Sequence, residues 1–508
     1  MGTWMVIAVG PLAKCCSRTP SFTAATAVSS VAMRAPCRNI SHGFPGRTIG
    51  PTARWCDTEQ QAGRDSTAPG GDATGRRRLP GDAESLAPRS TGCHRGPASA
   101  LSADPGREDL GAGQSRKSRA HESGGLTSRA LFAISGAALS MAKSSTAATY
   151  AQSGVSFERK ETFLSALLES LKKTDRLAAE GQRPLIPNGY YASVLDIGLP
   201  VAIALTTDGV GSKILIAEAA GDFSGLGIDL IAMNVNDLLC VGALPIALVD
   251  YIAMEKPPAS VGRALGRSLY EGAKQAGISI PGGEIAQLPD MIRGHNKGEG
   301  FDLAAAAIGT VAREDVSCGQ GIRPGDVLIG IESNGVHSNG YTLVREICFK
   351  RRRLKVDLPV PEFGGTLGAE LLRPTAIYVP QFRALAAAGL RPRAAMHITG
   401  GGYLNLLRAA TDGIRFVVDA PPPLPPVFTF LQQQGRVTDT EMHRVFNLGI
   451  GMILVVDPNR ADATLAVLRK KGWKKPHVVG HVAAGKGRSV EFPTRGLVGR
   501  GHEFTPLA

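Results

Sequence analysis

The sequence predicts an α/β protein (of the α+β type) with two folded domains behind a long N-terminal leader. Apolar strand-like runs alternate with helical patterns between residues 200 and 312, which is typical of a sheet covered by helices. A second unit begins with an apolar strand at Gly325. The first quarter of the chain shows neither periodicity. We therefore expect a leader over 1–143, a first domain over 144–313 and a second over 314–508.

The leader carries more than half of the net positive charge. Of a net charge of +13, residues 1–142 contribute +7, with 17 Lys and Arg against 10 Asp and Glu. No acidic residue precedes Asp57, and Arg, Ser, Thr, Ala, Gly and Pro dominate, as in organelle transit peptides. The part from Asp57 to Arg129 is predicted to be disordered. We expect a plastid location, with mitochondrion as an alternative, and cytoplasm if Met141 is the true start.

Composition argues against several classes for the folded part. Five of the eight cysteines lie in the leader, and the other three are scattered without metal-ligand spacing, so no disulfide framework is expected. No apolar run is long enough to cross a bilayer. The basic excess sits mainly in the leader and is weak evidence for nucleic-acid binding. We expect no nucleic-acid partner and no membrane partner.

The stretch TTDGVGSK, residues 206–213, follows the apolar run 200–205. A buried strand that ends in a Gly-rich loop with Asp208 and Lys213 is a candidate site for a polyphosphate and its metal. It is not a Walker A loop, because no GxxxxGK[ST] occurs in the chain. A Gly-rich structural turn is the alternative.

The next segment, 227–242, reads as a helix that is apolar on every face and therefore buried. It nevertheless contains Asp229, Asn234, Asn236 and Asp237. Buried polar groups need partners, which are either a metal or nucleotide or an internal hydrogen-bond network.

A third carboxylate follows a short predicted strand, 278–280, which runs into Pro281-Gly-Gly-Glu284. The two glycines would let the backbone approach a ligand, with Glu284 at the end of the strand. Together with Asp208 and Asp237, Glu284 would offer the oxygen ligands that suit Mg²⁺. Each acid alone could be structural.

The second domain has two candidate anion loops. His337, Ser338 and Asn339 precede a helix predicted from Tyr341, and a helix N-terminus favours an anion. His337 could act as acid, base or phosphate donor, or be a solvent-facing cap. A second Gly-rich loop, 397–402, offers a similar site or a structural turn.

Taken in order, these motifs resemble the phosphoribosylformylglycinamidine cyclo-ligase family, the AIR synthetases of purine biosynthesis. The resemblance covers about 350 residues from Thr149 onward and includes TTDGVGSK, GIDLIAMNVNDLL, PGGEIAQLP, SNGVHSNGYTLVR, ELLRPTAIYV, HITGGG and FNLGIGM. The first two motifs are similar to those of a wider ATP-binding superfamily. The segment GGEIAQLPD departs from the family pattern at Ile285 and Gln287, so no role is carried over for these side chains.

The resemblance implies an AIR-synthetase-like fold in which the N-terminal sheets of two subunits pair in a barrel-like homodimer interface. It implies ATP-dependent ring closure of formylglycinamidine ribonucleotide to aminoimidazole ribonucleotide, with ADP and phosphate as the other products. The expected cofactors are ATP and Mg²⁺. Another ATP-dependent superfamily member, such as a formylglycinamidine ribonucleotide synthetase-like enzyme, or a non-catalytic ATP-binding subunit, remains an alternative.

The candidate residues fit this chemistry. The catalytic candidates are His337, Asp237 and Lys213. The ATP-binding candidates are Asp208, Gly209, Gly211, Lys213, Asn236 and Asp237. The candidates for the substrate phosphate are Ser338, Asn339, Thr399, Gly400 and Gly401. The metal candidates are Asp208, Asp237 and Glu284.

Overall fold

A computed structural model of the chain describes residues 147–179 and 181–507, together with the backbone of residues 5–7. They belong to one compact unit that comprises Met1–Cys15 and Leu139–Ala508. The predicted disorder and targeting role of the leader lie outside the described residues. No described helix is both long and apolar enough to cross a membrane.

The first sheet has six strands in the order β1-β5-β4-β6-β3-β2. Its strands are β1 (Met5–Ile7), β2 (Ser193–Leu195), β3 (Val201–Gly209), β4 (Leu244–Met254), β5 (Ser279–Gln287) and β6 (Phe301–Ala312). β5 runs parallel to β1 and β4, whereas β6 is antiparallel to both β3 and β4. The sheet is therefore mixed.

The second sheet has eight strands in the order β10-β12-β7-β13-β11-β14-β15-β16. Its strands are β7 (Val327–Glu332), β10 (Ala394–His397), β11 (Ile414–Val418), β12 (Ile450–Val456), β13 (Pro476–Ala484), β14 (Arg488–Phe492), β15 (Leu497–Arg500) and β16 (Glu503–Pro506). A small hairpin pairs β8 (Pro359–Val360) with β9 (Gly365–Thr366). Every residue of β12 is buried, as its continuous apolar run predicts.

Helices cover the sheets. Within the described residues they are α1 (Phe157–Leu171), α2 (Ile214–Ala220), α3 (Leu226–Cys240), α4 (Ala259–Ala276), α5 (Tyr341–Arg345), α6 (Leu367–Leu371), α7 (Val379–Ala387), α8 (Pro426–Gly435), α9 (Asp439–Val445) and α10 (Ala461–Leu468). A π-helix, Glu346–Arg351, continues α5.

Helix α3 is buried because it packs against the sheet and against α4. At Gly227 an added Cβ would lie 2.3 Å from the backbone nitrogen of Leu269, so only glycine allows the two helices to approach this closely. The helix ends before Gly242, which has a φ of +82°. This contact fixes the position of α3 relative to α4.

The fold class is confirmed, with two differences at strand ends. Residues 206–209 of the predicted loop belong to β3, because Thr206 to Gly209 pair in register with Ala307 to Ala304. The segment Pro281-Gly-Gly, which is predicted to follow the strand over 278–280, lies inside β5. Proline is tolerated there because the pairing of β5 with β4 shifts register between Ser279 and Gly282, so Pro281 has no partner in the ladder. Glu284 is therefore in mid-strand and not at a strand end.

Candidate active site

A fully buried ion pair connects Lys213, just after β3, with Asp229 of α3. The side chains of Lys213 and Asp229 are both 0% exposed, and Lys213 Nζ lies 2.8 Å from Asp229 Oδ2. The ammonium also donates to the backbone oxygens of His337 at 3.2 Å and Arg373 at 2.8 Å. Burial lowers the pKa of Lys213, and Asp229 opposes that shift.

These contacts correct the predicted role of Lys213. With three acceptors in contact and no exposed surface, its ammonium is not free to contact a phosphate or to act in catalysis. Asp229 is equally occupied, because the backbone N–H and the hydroxyl of Thr375 donate to it at 2.7 and 2.6 Å. Its partner is an internal network, which was the alternative for this helix.

The two asparagines of α3 also serve the fold. Asn234 exchanges hydrogen bonds with the backbone of Asp208. Asn236 donates to Ala376 O at 2.8 Å and accepts from the N–H of Tyr378 at 3.1 Å. Asn236 is fully buried, so the prediction that it contacts ATP is corrected: its amide connects the two domains.

Asp237 is the member of this set that stays partly open, with its side chain 14% exposed. Its Oδ1 lies 2.8 Å from His397 Nδ1, at the end of β10. Burial raises the pKa of Asp208, and the charge of Asp237 raises it further. Asp237 and His397 are thus in direct contact, and Asp208 is close enough for the charges of both to affect its pKa.

Glu284 does not join this pair. Residues that pair across neighbouring strands share a face of the sheet, and Asp208 pairs through Ala305 with Asp250. Glu284 pairs instead with Tyr251, the residue after Asp250, whose side chain is on the other face. β5 lies three strands from β3, roughly 14 Å away. Glu284 and Asp208 therefore project from opposite faces. The predicted metal site is corrected accordingly and does not include Glu284. Among the described residues no group of three metal-binding side chains forms.

Two carboxylates still fit Mg²⁺. This ion is commonly held by one or two protein carboxylates together with phosphate oxygens and water. The pKa of Asp208 is raised mainly by burial and then by the charge of Asp237, and His397 and Lys160 offset only part of that rise. A divalent cation beside the two carboxylates would favour their ionised forms. Asp208 and Asp237 therefore stay predicted as metal ligands.

His337 is buried, not solvent-facing, so the alternative of an exposed cap is wrong. Its Nε2 accepts from the backbone N–H of Asn334 at 2.9 Å and of Ala376 at 3.4 Å. Burial, followed by the charge of His397, holds the pKa of His337 well below its usual range. The ring is therefore neutral with its proton on Nδ1, which has no partner among the described residues. It can donate one hydrogen bond but is not available as a base.

The backbone at His337 has a φ of +65°, which is unusual for a residue with a side chain. Such conformations often mark functional sites. Ser338 lies 3.0 Å from the hydroxyl of Thr375. Asn339 reaches the second Gly-rich loop, because its Oδ1 lies 3.4 Å from where a Cβ of Gly400 would be. The two predicted anion loops are therefore neighbours.

The second loop borders a cavity of about 370 Å³. Gly400 and Gly401 line it together with Lys160 of α1 and Arg408. The amide of Asn405 donates to Gly402 O at 2.8 Å and to the oxygens of Thr399 and Gly400 at 3.4 and 3.3 Å, which holds the loop in place. A loop with two cations beside it has the chemistry of a phosphate site.

The first Gly-rich loop borders another cavity, of about 280 Å³. Gly211 and Ser212 line it with Arg293 and Asp302. Gly211 has a φ of +71° and open space at its Cβ position. At Gly209 an added Cβ would lie 2.8 Å from Leu303 O, so that glycine is required by packing against β6. Gly211 keeps its place as a candidate nucleotide contact.

Sequence reasoning missed several residues of the site. His397 and Thr375 lie within quoted motifs, and Asn405 follows one, but the local sequence assigns no role to these side chains, because each acts through a partner more than a hundred residues away or through backbone oxygens. Lys160 and Arg408 become candidates only when the fold brings them to one cavity. Asp250 is different, because the sequence alone marks it as unusual: it is the one acidic residue in the apolar run of β4.

Asp250 is a buried carboxylate, 4% exposed, whose two oxygens have no hydrogen-bond partner among the described residues. Burial raises its pKa to about 6. An ionised group of this kind destabilises the fold, because the charge loses water without gaining a partner.

The fold and this site define a class of two-domain proteins. Residues 189–311 match the family model "AIR synthase related protein, N-terminal domain", and residues 323–492 match "AIR synthase related protein, C-terminal domain". The chain belongs to the phosphoribosylformylglycinamidine cyclo-ligase family, which is a family of ligases.

Relatives of that name support this assignment. The protein from Thermococcus kodakarensis is 44% identical over 63% of this chain and 92% of its own length. The protein from Methanosarcina acetivorans is also 44% identical, with the same coverage. A solved structure titled "Crystal structure of HypE-HypF complex" overlaps 64% of this chain and 96% of its own, with 19% identity and a TM-score of 0.46, which is too distant to inform function.

The buried ion pair leads to a stability prediction. Lys213→Met leaves Asp229 buried without its cation and should lower the free energy of unfolding by about 3–5 kcal/mol. Urea unfolding followed by circular dichroism measures this. Lys256→Met, at an exposed lysine, is the matched control and should change little. A Lys213→Met protein that is as stable as the parent but has lost ATP turnover would restore the phosphate-contact role.

A second prediction concerns pH. Because the folded-state pKa of Asp250 is raised to about 6 from 3.8, its contribution to stability is lost as the pH rises between these values. Asp250→Asn should therefore stabilise the protein by about 2 kcal/mol at neutral pH and progressively less in acid. Urea unfolding at neutral pH and in acid tests this, with Asp357→Asn, at an exposed position, as the control. An equal effect at both pH values would contradict the assignment.

Proposed function

We propose that this chain closes the imidazole ring of formylglycinamidine ribonucleotide to give aminoimidazole ribonucleotide, with conversion of ATP to ADP and phosphate. The observation that carries this proposal is the identity of 40–44% to relatives named phosphoribosylformylglycinamidine cyclo-ligase, of whose length the chain covers 88–98%. ATP supplies the phosphoryl group that converts the amide oxygen of the substrate into a leaving group.

The side chains of the site can be given roles in this reaction. Asp208 and Asp237 would hold Mg²⁺, which neutralises phosphate charge. His397, at 2.8 Å from Oδ1 of Asp237, orients that carboxylate and leaves the other oxygen for a ligand. The neutral His337 would donate its Nδ1 hydrogen to an oxygen that gains charge during the transfer.

The substrate phosphate would bind at the cavity of Gly400 and Gly401. Lys160 and Arg408 supply positive charge there. Lys160 is close enough to Asp208 to oppose the rise of its pKa, although burial is the dominant cause of that rise. The proposed phosphate site is therefore near the proposed metal site, as ring closure on a phosphorylated amide requires.

The metal assignment makes a direct prediction. Asp237→Asn should lower ATP turnover with this substrate by about a hundredfold or more while the fold persists, because it removes a charged ligand at the phosphoryl group. Coupled assay of ADP release and imidazole formation, with circular dichroism, measures both. Asp357→Asn makes the same chemical change at an exposed position and should keep full activity. Normal turnover by Asp237→Asn would exclude its role.

We also propose that the protein is a homodimer joined through the face of the first sheet that carries no helix. Five apolar side chains of β3 and β4 are each 40–48% exposed. They are Val201, Leu205, Ile246, Val249 and Tyr251. Glu284 is the neighbour of Tyr251 in the strand register and lies on the same face of the sheet. Its Oε1 lacks a hydrogen-bond partner within the described part of the chain. A second copy would cover this apolar face.

Val249→Glu should therefore convert the dimer to a monomer at micromolar concentration, because it places a charge in the face that the dimer would bury. Sedimentation velocity measures the change. Val478→Glu is the matched control, since Val478 is 47% exposed on β13 of the other sheet. A wild-type protein that sediments as a monomer at every concentration would reject the dimer.

The leader, residues 1–143, is proposed to direct the chain to a plastid, on the basis of its basic, acid-poor composition. A fluorescent fusion to residues 1–143, expressed in cells of the source organism, would show plastid fluorescence. Mitochondrial or cytosolic fluorescence would overturn this.

A further inference from the structure

A cavity of about 380 Å³ lies on the side of the His337 loop that faces α4, and it has no part in the proposed reaction. Its polar and aromatic lining comes from both domains: Gln275, Asn334, Thr375, Gln381, Trp473 and Lys474. Its apolar wall includes Ile228 and Pro380. The size is within the range of small-molecule sites.

Positive charge converges at the rim. Asn334 Oδ1 accepts from Lys474 Nζ at 2.9 Å and from Arg373 Nη2 at 2.9 Å, so two cations share one neutral oxygen. Burial, and then the charge of Arg373, lowers the pKa of Lys474, whereas the charge of Glu332 opposes that shift. Of the nearby acids, Glu370 is bonded to Arg373 at 3.1 Å, and Glu332 lies 2.8 Å from His477 Nε2. Arg373 is therefore already paired, whereas no carboxylate in the described part of the chain forms a salt bridge with Lys474, so the Lys474 ammonium is available to an anion.

A second observation points to a ligand with hydrogen-bond donors. Gln381, in the first turn of α7, is only 3% exposed, and its Oε1 has no partner among the residues that the structure describes. Such an oxygen pays a desolvation penalty of about 1–3 kcal/mol unless a donor reaches it. Because Gln381 lines the cavity, an occupant with an N–H group would satisfy it.

The aromatic ring of Trp473 completes the set. Tryptophan offers a flat apolar surface on which a planar heterocycle can stack. We propose that this cavity is a second nucleotide site, in which Lys474 and Arg373 bind a phosphate and Trp473 and Gln381 receive the base. The ligand class is a nucleoside monophosphate, and the site is separate from the catalytic cleft.

The cavity is connected to the catalytic residues. The backbone N–H of Asn334 donates to His337 Nε2 at 2.9 Å, and Thr375 donates to Asp229. Lys474 and Arg373 are among the cations that add to the effect of burial in lowering the pKa of His337. An anion bound at the rim would offset their charge. Occupancy of this site would therefore be sensed at the His337 loop.

The test uses Trp473 as its own reporter. The chain has 3 tryptophans, and the other two, Trp4 and Trp55, lie outside the described residues. In the full chain with Trp4→Phe and Trp55→Phe, Trp473 fluorescence is titrated with AMP, adenosine and inorganic phosphate. An excess of a non-hydrolysable ATP analogue fills the catalytic cleft. We expect a saturable change with AMP at a concentration where adenosine and phosphate have little effect.

The matched variants are Lys474→Gln and the exposed Lys475→Gln. Loss of a charged hydrogen-bonding partner should weaken AMP binding by about tenfold or more in the first variant and leave it unchanged in the second. Calorimetry of the unmodified chain and of Lys474→Gln, with the cleft filled in the same way, repeats the measurement without the tryptophan changes. Equal AMP affinity in Lys474→Gln, an equal response to phosphate alone, or no response to AMP would each overturn the proposal.

Discussion

The structure depends on the buried contact between Lys213 and Asp229. A lysine ammonium has three N–H bonds, and here each finds an oxygen from a different segment: α3, the His337 loop and the residue before Pro374. Replacing the pair by apolar side chains could give similar stability. Apolar side chains would not reproduce the three hydrogen bonds by which the ammonium holds three segments in fixed directions. The pair therefore determines how the second domain lies against α3.

Helix α3 carries this constraint to the reactive groups. Asp229 and Asp237 are eight residues apart, which is roughly 12 Å along a helix. The first is held by the ion pair and the second meets His397. Since α3 cannot separate from α4 at Gly227 without losing the close backbone contact, it acts as a rigid spacer. A displacement of either domain would change the distance between Asp237 and the loop that follows His397.

The sequence predicted much of this organisation but not the assignment of partners. The apolar character of α3 predicted its burial, and the presence of polar residues on it predicted that they need partners. Which partner each one finds depends on Thr375, Ala376 and Tyr378, which lie about 140 residues further along the chain. No local pattern contains that information. Asp237 therefore looked equivalent to Asp229 and Asn236, although only Asp237 is partly open.

The errors at Lys213 and Glu284 have different physical causes. A lysine at the end of a Gly-rich loop is as consistent with a phosphate contact as with an internal ion pair, and only burial distinguishes them. For Glu284 the difficulty was the Pro-Gly-Gly segment, which suggests a turn but lies in a strand near the edge of the sheet. One change from turn to strand places the carboxylate on the opposite face from Asp208, because side chains alternate along a strand.

The remaining pair of carboxylates is sufficient for the proposed chemistry. If three acids surrounded one ion, they would neutralise it, and the nucleotide phosphates would gain little by joining the site. With Asp208 and Asp237 alone, a divalent ion keeps open coordination positions that phosphate oxygens can occupy. His397 contacts one oxygen of Asp237, which limits that carboxylate to a single free oxygen. In the proposed reaction such an ion would be completed by phosphate oxygens of the nucleotide, which is what phosphoryl transfer needs.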